Sequence, residues 1–246
     1  MINQTISQLA QMHLPAMTEE FRRQIELPAM SELPFEERFG LLVEAEWRER
    51  RNNRINRLLK AAKLRCPDAC LENVDFDHSR QLDRVLMARL SDMSWLAENR
   101  NLFITGPSGV GKTWIASAFG NAACRLGKRV ASYRLGHLLD DLRAARADGT
   151  WGKLLAALKK PDLLILDDFG LDRFDTIQCR DLLEIAEERY STGSVLITAQ
   201  LPVAQWHAVF EDATVADATL DRIVHNAYRI ELRGPSRRAA AATENP

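Results

Sequence analysis

From Asn101 onward, short β-rich apolar runs alternate with helical stretches. The runs read NLFIT, RVASY, DLLILD, SVLIT and YRIEL. Between them, helical patterns reach to about Leu126, from near His137 to Ala147, and from near Thr176 to Tyr190. Such alternation predicts a parallel sheet with helices on both faces. Leu163 to Leu166 are all apolar, the mark of a strand covered on both sides. Before Leu71 there is no strand signal. Thr18 to Leu27 and Pro34 to Leu64 are rich in Glu, Arg, Leu and Ala, good helix formers, and Pro34 sits where a first-turn proline is tolerated. A polar connector without clear periodicity, LENVDFDHSRQLD, follows Pro67 and puts the domain boundary between Cys66 and Phe76. The expected organisation is a small all-helical domain over 1–70, an α/β domain over 71–238 and a disordered tail over 239–246. The tail reads AAAATENP and has no large apolar side chain to pack.

Composition narrows the class. Hydrophobic residues are 46% and charged residues 27% of 246, which excludes a disordered or fibrous chain. No stretch approaches the roughly 18 to 20 consecutive apolar residues of a membrane span. The start, MINQTISQLAQMHL, lacks the basic opening and apolar run of a signal peptide, so a cytoplasmic protein without a membrane partner is expected. Cys66, Cys70, Cys124 and Cys179 are too scattered for a disulfide framework and are expected to be thiols. Cys66, Cys70 and His78 lack a fourth ligand at zinc spacing, and none of the five histidines accompanies a nucleophile motif. A zinc site and a Ser or Cys hydrolase are set aside.

One motif carries chemistry. Gly106 to Thr113 reads GPSGVGKT, a full match to GxxxxGK[ST], between a predicted strand and a predicted helix. Glycines here let the backbone fold tightly enough for successive N–H groups to face a phosphate, and the helix N-terminus adds partial positive charge. Gly106, Pro107, Ser108, Gly109, Val110 and Gly111 are thus candidates for the phosphate cradle, with Lys112 neutralising the β and γ oxygens. Thr113 offers a hydroxyl to Mg2+, a hard cation that prefers oxygen. Downstream, LLILDD would deliver two carboxylates to the C-terminal edge of the sheet, where open α/β folds bind ligands. Asp167 is the candidate metal ligand, directly or through water, and Asp168 the candidate for orienting or deprotonating the attacking water.

The net charge of −1 hides a local basic patch. Residues 48 to 65, RERRNNRINRLLKAAKLR, hold eight basic side chains and one acid. On a helix, Arg50, Arg54 and Arg57 fall on one stripe with Lys60 at its edge, while Ile55, Leu58, Leu59 and Ala62 lie opposite. Such a run is either a solvated helix face with an acidic helix as its partner or a surface for DNA phosphates. In the second reading Arg50, Arg51, Arg54, Arg57 and Lys60 are the candidate DNA contacts. No aromatic residue interleaves with them to stack unpaired bases, which favours duplex backbone binding with little sequence preference.

GPSGVGKTW, LLILDDFG, LITAQLPV followed by Trp206 and His207, and LDRIVHNAYRIELRG resemble the IstB-like ATP-binding proteins, helper ATPases of insertion-sequence transposition. These lie within the AAA+ superfamily, close to DnaC-type helicase loaders. LPAMTEEF, PFEERFGLLVEAEW and LLKAAKLRCPDACLENVDF resemble the helper's own N-terminal module. The resemblance implies an AAA+ P-loop NTPase fold with a central parallel sheet, a helical N-terminal domain, and no C-terminal helical lid. It implies ATP and Mg2+ as cofactors, with duplex DNA, a partner transposase and further copies of the chain as partners. ATP sites would lie between subunits. It adds Trp114 to the nucleotide site, puts Thr198 or Gln200 at the polar sensor position, and matches Arg222 to the arginine finger. Arg238 corresponds to a sensor-2 arginine, although GPSRR places Pro235 and Arg237 where the family's motif has an acid and an apolar residue. The competing expectations are a replicative helicase loader, and a small-molecule kinase, which needs an acceptor pocket and a lid that the sequence does not display.

Overall fold

The structure is a computed structural model that describes residues 1–237. Its packing divides the chain into two units, Met1–Arg57 and the remainder from Leu58.

The first unit is helical: α1 (Ile2–Gln11), α2 (Pro15–Glu26), a 3-10 turn (Pro28–Glu32), and α3 (Phe35–Ala62), whose residues up to Arg57 belong to this unit. Its anchor is a buried carboxylate. Pro15 opens α2 and has no N–H to offer, and Glu46 of α3 accepts the next two backbone donors, from Ala16 at 3.1 Å and Met17 at 3.2 Å. Arg50 completes the arrangement, 2.8 Å from Glu46 and 3.0 Å from the His13 carbonyl. Burial opposes ionisation of Glu46, but Arg50 and the two N–H groups outweigh it and lower its pKa.

The second unit adds α4 (Arg84–Ser91), α5 (Ser94–Ala97), β1 (Asn101–Thr105), α6 (Lys112–Arg125), β2 (Val130–Arg134), α7 (Leu135–Ala147) and α8 (Trp151–Lys159). It continues with β3 (Leu163–Phe169), α9 (Thr176–Arg189), β4 (Ser194–Ala199), α10 (Ala213–Val224) and β5 (Ala227–Glu231). The strands form one parallel sheet in the order β2-β3-β4-β1-β5. Every residue of β1 and β4 is buried, while the edge strands β2 and β5 are partly exposed, as expected of a sheet covered on both faces. Side chains alternate between two cores. Leu102 and Ile104 pack with Ile115, Phe119 and Ile165 on one face, and Phe103 packs with Leu164, Leu166 and Trp206 on the other.

The five predicted strands and the helices between them are present. The sequence reading missed α1, α4, α5, α8 and α10. Residues 84–97, passed over between the connector and β1, carry α4, capped by the Asp83 carboxylate, which accepts from Val85 at 2.8 Å and Leu86 at 3.2 Å. Among the described residues, no helix is long and apolar enough to cross a membrane.

Candidate functional site

β1 leads into a loop of three left-handed glycines, Gly106 (φ 145°), Gly109 (φ 83°) and Gly111 (φ 97°), and α6 begins at Lys112. At Gly106 a side chain is impossible for a second reason, since a Cβ would collide with the Leu232 carbonyl. The Lys112 ammonium curls back over the loop and donates to the carbonyls of Gly106 and Pro107, 2.7 Å each.

β3 delivers the acidic pair to the same edge of the sheet. Asp167 is 1% exposed. Its carboxylate accepts from the Thr113 hydroxyl, at 2.9 Å to Oδ1 and 3.1 Å to Oδ2, and from the Thr198 hydroxyl at 2.5 Å. Arg65 lies 2.5 Å from Oδ2. Asp168 is left-handed (φ 66°) and marks a register shift between β3 and β4; its N–H donates to Thr198 Oγ1 at 3.0 Å. The Asp168 carboxylate faces two guanidinium groups, Arg65 and Arg134, each at 3.3 Å. Burial lowers the Arg65 pKa, but the two aspartates outweigh it and raise it overall.

A cleft of about 660 Å3 opens over these groups. Ser108, Gly109, Lys112, Thr113, Asp168 and Gln200 line it, with Trp114 at its wall. The predicted residues part company at several points. Thr198 is fully buried and spends its hydroxyl on the acidic pair, whereas Gln200 reaches the cleft. Arg222 lies beside Asn101 and Val195, where β1 and β4 begin, at the opposite edge of the sheet from Lys112. It is held there by Glu187 at 2.9 Å and the Ala218 carbonyl at 2.7 Å. Arg238 lies outside the described residues; its neighbour Arg237 lines the cleft, pairs with Asp75 and donates its N–H to the Gly109 carbonyl at 3.0 Å. On α3, Arg51, Arg54, Arg57 and Lys60 are exposed, and Arg50 is engaged with Glu46 and His13.

Besides Arg237, sequence reasoning missed three arginines of the cleft. Arg65 was absorbed into the basic run. Arg134 ends β2 in register with Asp167, a pairing legible only once the strand order is known. Arg80 sits in the polar connector, yet it is buried and donates to the carbonyls of Asp75 (2.8 Å) and Val110 (3.1 Å), bracing the glycine loop. Burial lowers its pKa.

These residues fit a nucleoside triphosphate with a divalent cation. Volumes of this order are typical of small-ligand sites, about 300 to 1,000 Å3. The Thr113 and Asp167 oxygens stand 2.9 and 3.1 Å apart. Neighbouring oxygen donors of this kind suit a hard divalent cation such as Mg2+.

The fold is that of the AAA+ P-loop NTPases. A crystal structure of DnaI aligns with a TM-score of 0.57 at 23% identity over 69% of this chain and 90% of that one. One of the DnaC helicase loader aligns with a TM-score of 0.55 at 19% identity over 68% and 97%. Sequence relatives are nearer. A putative insertion sequence ATP-binding protein of Sinorhizobium fredii is 43% identical over 234 residues, 95% of each chain. The putative ATP-binding protein of insertion sequence IS1162 from Pseudomonas fluorescens is 44% identical over 202 residues, 82% of this chain and 87% of that one. The model of the family described as IstB-like ATP binding protein matches residues 7–244, and the chain belongs to that family.

Proposed function

We propose that the chain is an ATP-hydrolysing, DNA-binding helper of insertion-sequence transposition. It would multimerise on duplex DNA in the cytoplasm and stimulate or target a partner transposase. The observation that carries the catalytic half is the direct contact of Thr113 with Asp167, which joins the glycine loop to the acidic pair beneath one cleft. Family membership carries the transposition half.

In this reading Lys112 leaves the Gly106 and Pro107 carbonyls for the β and γ oxygens of ATP, while the loop and α6 N-terminus meet the remaining phosphate charge. Thr113 and Asp167 would hold Mg2+, which when bound would supply positive charge to the transferring phosphoryl group. Asp168 and Gln200 orient the attacking water. Arg222, remote from its own cleft, would serve the site of a neighbouring copy. The module over 1–70 would meet DNA phosphates through Arg51, Arg54, Arg57 and Lys60, with Arg50 oriented by Glu46. A helicase-loading role rests on fold likeness below 25% identity.

The test pairs calorimetric titration of Mg–ATP with phosphate release, with and without duplex DNA, on the parent and on Asp168→Asn. The expected result is ATP binding by both proteins, within about threefold, with DNA-dependent turnover in the parent alone. Absence of nucleotide binding would sink the proposal, and hydrolysis by Asp168→Asn at the parent rate would reject Asp168 as the water-orienting group.

A further inference from the structure

The acidic pair is already charge-matched by the chain itself. Asp167 and Asp168 face Arg65 and Arg134, two carboxylates against two guanidinium groups. The distribution is uneven. Oδ1 of Asp167 takes the Thr198 hydroxyl, whereas Oδ2 takes the Arg65 guanidinium at 2.5 Å. Both oxygens share Thr113. A carboxylate this buried is costly without a cation, and Arg65 provides one.

A divalent ion between Thr113 and Asp167 draws on the same carboxylate charge as Arg65. Both carboxylate oxygens lie near the Thr113 hydroxyl, and the guanidinium occupies Oδ2, one of the two that such an ion could meet directly or through one of its waters. The two cations also repel each other, so the carboxylate cannot serve both equally well. Arg65 has somewhere to go: its side chain is 41% exposed and lines the open cleft. Arg134 remains to pair with Asp168.

We propose that Arg65 is a built-in counter-cation of the metal site, an alternative to Mg2+ as the partner of Asp167, so that metal binding displaces the Arg65 side chain. The inference rests on the ATP–Mg2+ reading of the cleft and deepens it by naming the residue with which the metal competes. Arg65 is then a positioning residue. It holds Asp167 in place while the site is empty and lowers the apparent metal affinity by the fraction of chains in which Oδ2 is occupied.

Mn2+ alone, without nucleotide, is the probe, and its binding to the full-length chain is followed by electron paramagnetic resonance. Arg65→Gln is expected to bind Mn2+ about tenfold more tightly than the parent, the equivalent of one charged hydrogen bond removed from the competition. Arg65→Lys, which keeps the charge, is expected to stay near the parent. Because Arg65→Gln strands a buried carboxylate, its melting temperature should fall in metal-free buffer and recover more than the parent's on adding Mg2+. A measurement on the parent needs no variant to fold: the 15N side-chain resonance of Arg65 should shift on adding Mg2+, while that of Arg189, bonded to backbone carbonyls elsewhere, should not. Unchanged or weaker Mn2+ binding by Arg65→Gln, equal tightening by both variants, or an Arg65 resonance indifferent to Mg2+ would each overturn the inference. If the parent binds Mg–ATP normally in those cases, the functional proposal stands and the counter-cation alone is rejected. A parent that takes up neither Mn2+ nor Mg–ATP overturns both.

Discussion

Thr198 offers a sharp test of how the acidic pair is held. Its hydroxyl is fully buried, donates to Asp167 at 2.5 Å and accepts the Asp168 N–H at 3.0 Å. It thereby ties the side chain of one aspartate to the backbone of the next. Thr198→Val keeps the shape and removes both bonds. A hydrogen bond to a charged acceptor contributes about 1.5 to 3 kcal/mol, and a stranded buried donor costs about 1 to 3 kcal/mol. Thr113 and Arg65 still hold the carboxylate, and Asp168 is half-buried, so the low ends apply and the expected loss is about 2 to 3 kcal/mol. Thr198→Ser keeps the hydroxyl and loses one buried methyl, about 1 kcal/mol. Urea unfolding in metal-free buffer, followed by circular dichroism, measures both. A Thr198→Val loss under about 0.5 kcal/mol would refute the bridging role, because it lies below the smallest bond invoked. Stability intact but turnover abolished would instead mean that Thr198 holds the attacking water, the role proposed above for Gln200, which lines the cleft.

Two further outcomes follow from the other groups. Arg222→Ala should cost under about 1 kcal/mol in stability, since its ion pair with Glu187 is partly exposed, and should leave ATP binding intact. Assembly-dependent turnover should fall about 10³-fold or more, and mixing with Lys112→Ala should restore activity, because the mixed interfaces join an intact Arg222 to an intact Lys112. A mixture as inactive as its components would refute the action across subunits. Cys124 is fully buried, and burial pushes its thiol from 9.0 up to about 11. Its folded pKa exceeds the unfolded one, so the stabilisation is complete below about pH 9 and is lost as pH rises through about 11. Cys124→Ala should flatten the decline in melting temperature over that window, and an unchanged slope would show that other groups cause it.

The elements that were legible in the sequence are those with a local signature. β3 declared itself through four consecutive apolar residues, and α9 through a length of good helix formers after Asp175, whose carboxylate and Gln178 form a reciprocal cap. The glycine loop was legible because only glycine tolerates the backbone at Gly106, Gly109 and Gly111. What escaped was non-local. α8 is nine residues long and buries just Leu155 and Leu158, too short a stripe to stand out beside α7. The partners of the acidic pair come from positions 65 and 134, distant in sequence from Asp167, and strand order alone brings Arg134 into register with it. Charge by itself could not separate Arg65, turned toward the cleft, from Arg57 and Lys60, which lie exposed in the same basic run.

The parallel sheet has a consequence for the division of labour within one chain. All five strands run the same way, so the C-terminal ends of β1, β3 and β4 and the segments that follow them gather Lys112, Thr113, the aspartates and Gln200 at one edge. The segment before β5 leaves Arg222 at the other. Five residues of β1 separate the edges by about 15 Å of extended backbone, more than an arginine side chain spans. The sheet that assembles the groups of the cleft therefore keeps Arg222 away from them. If Arg222 acts on a phosphate, that phosphate is bound by another copy, and turnover must depend on protein concentration even when ATP is saturating. A specific activity that stays constant on dilution would mean that Arg222 is only the partner of Glu187.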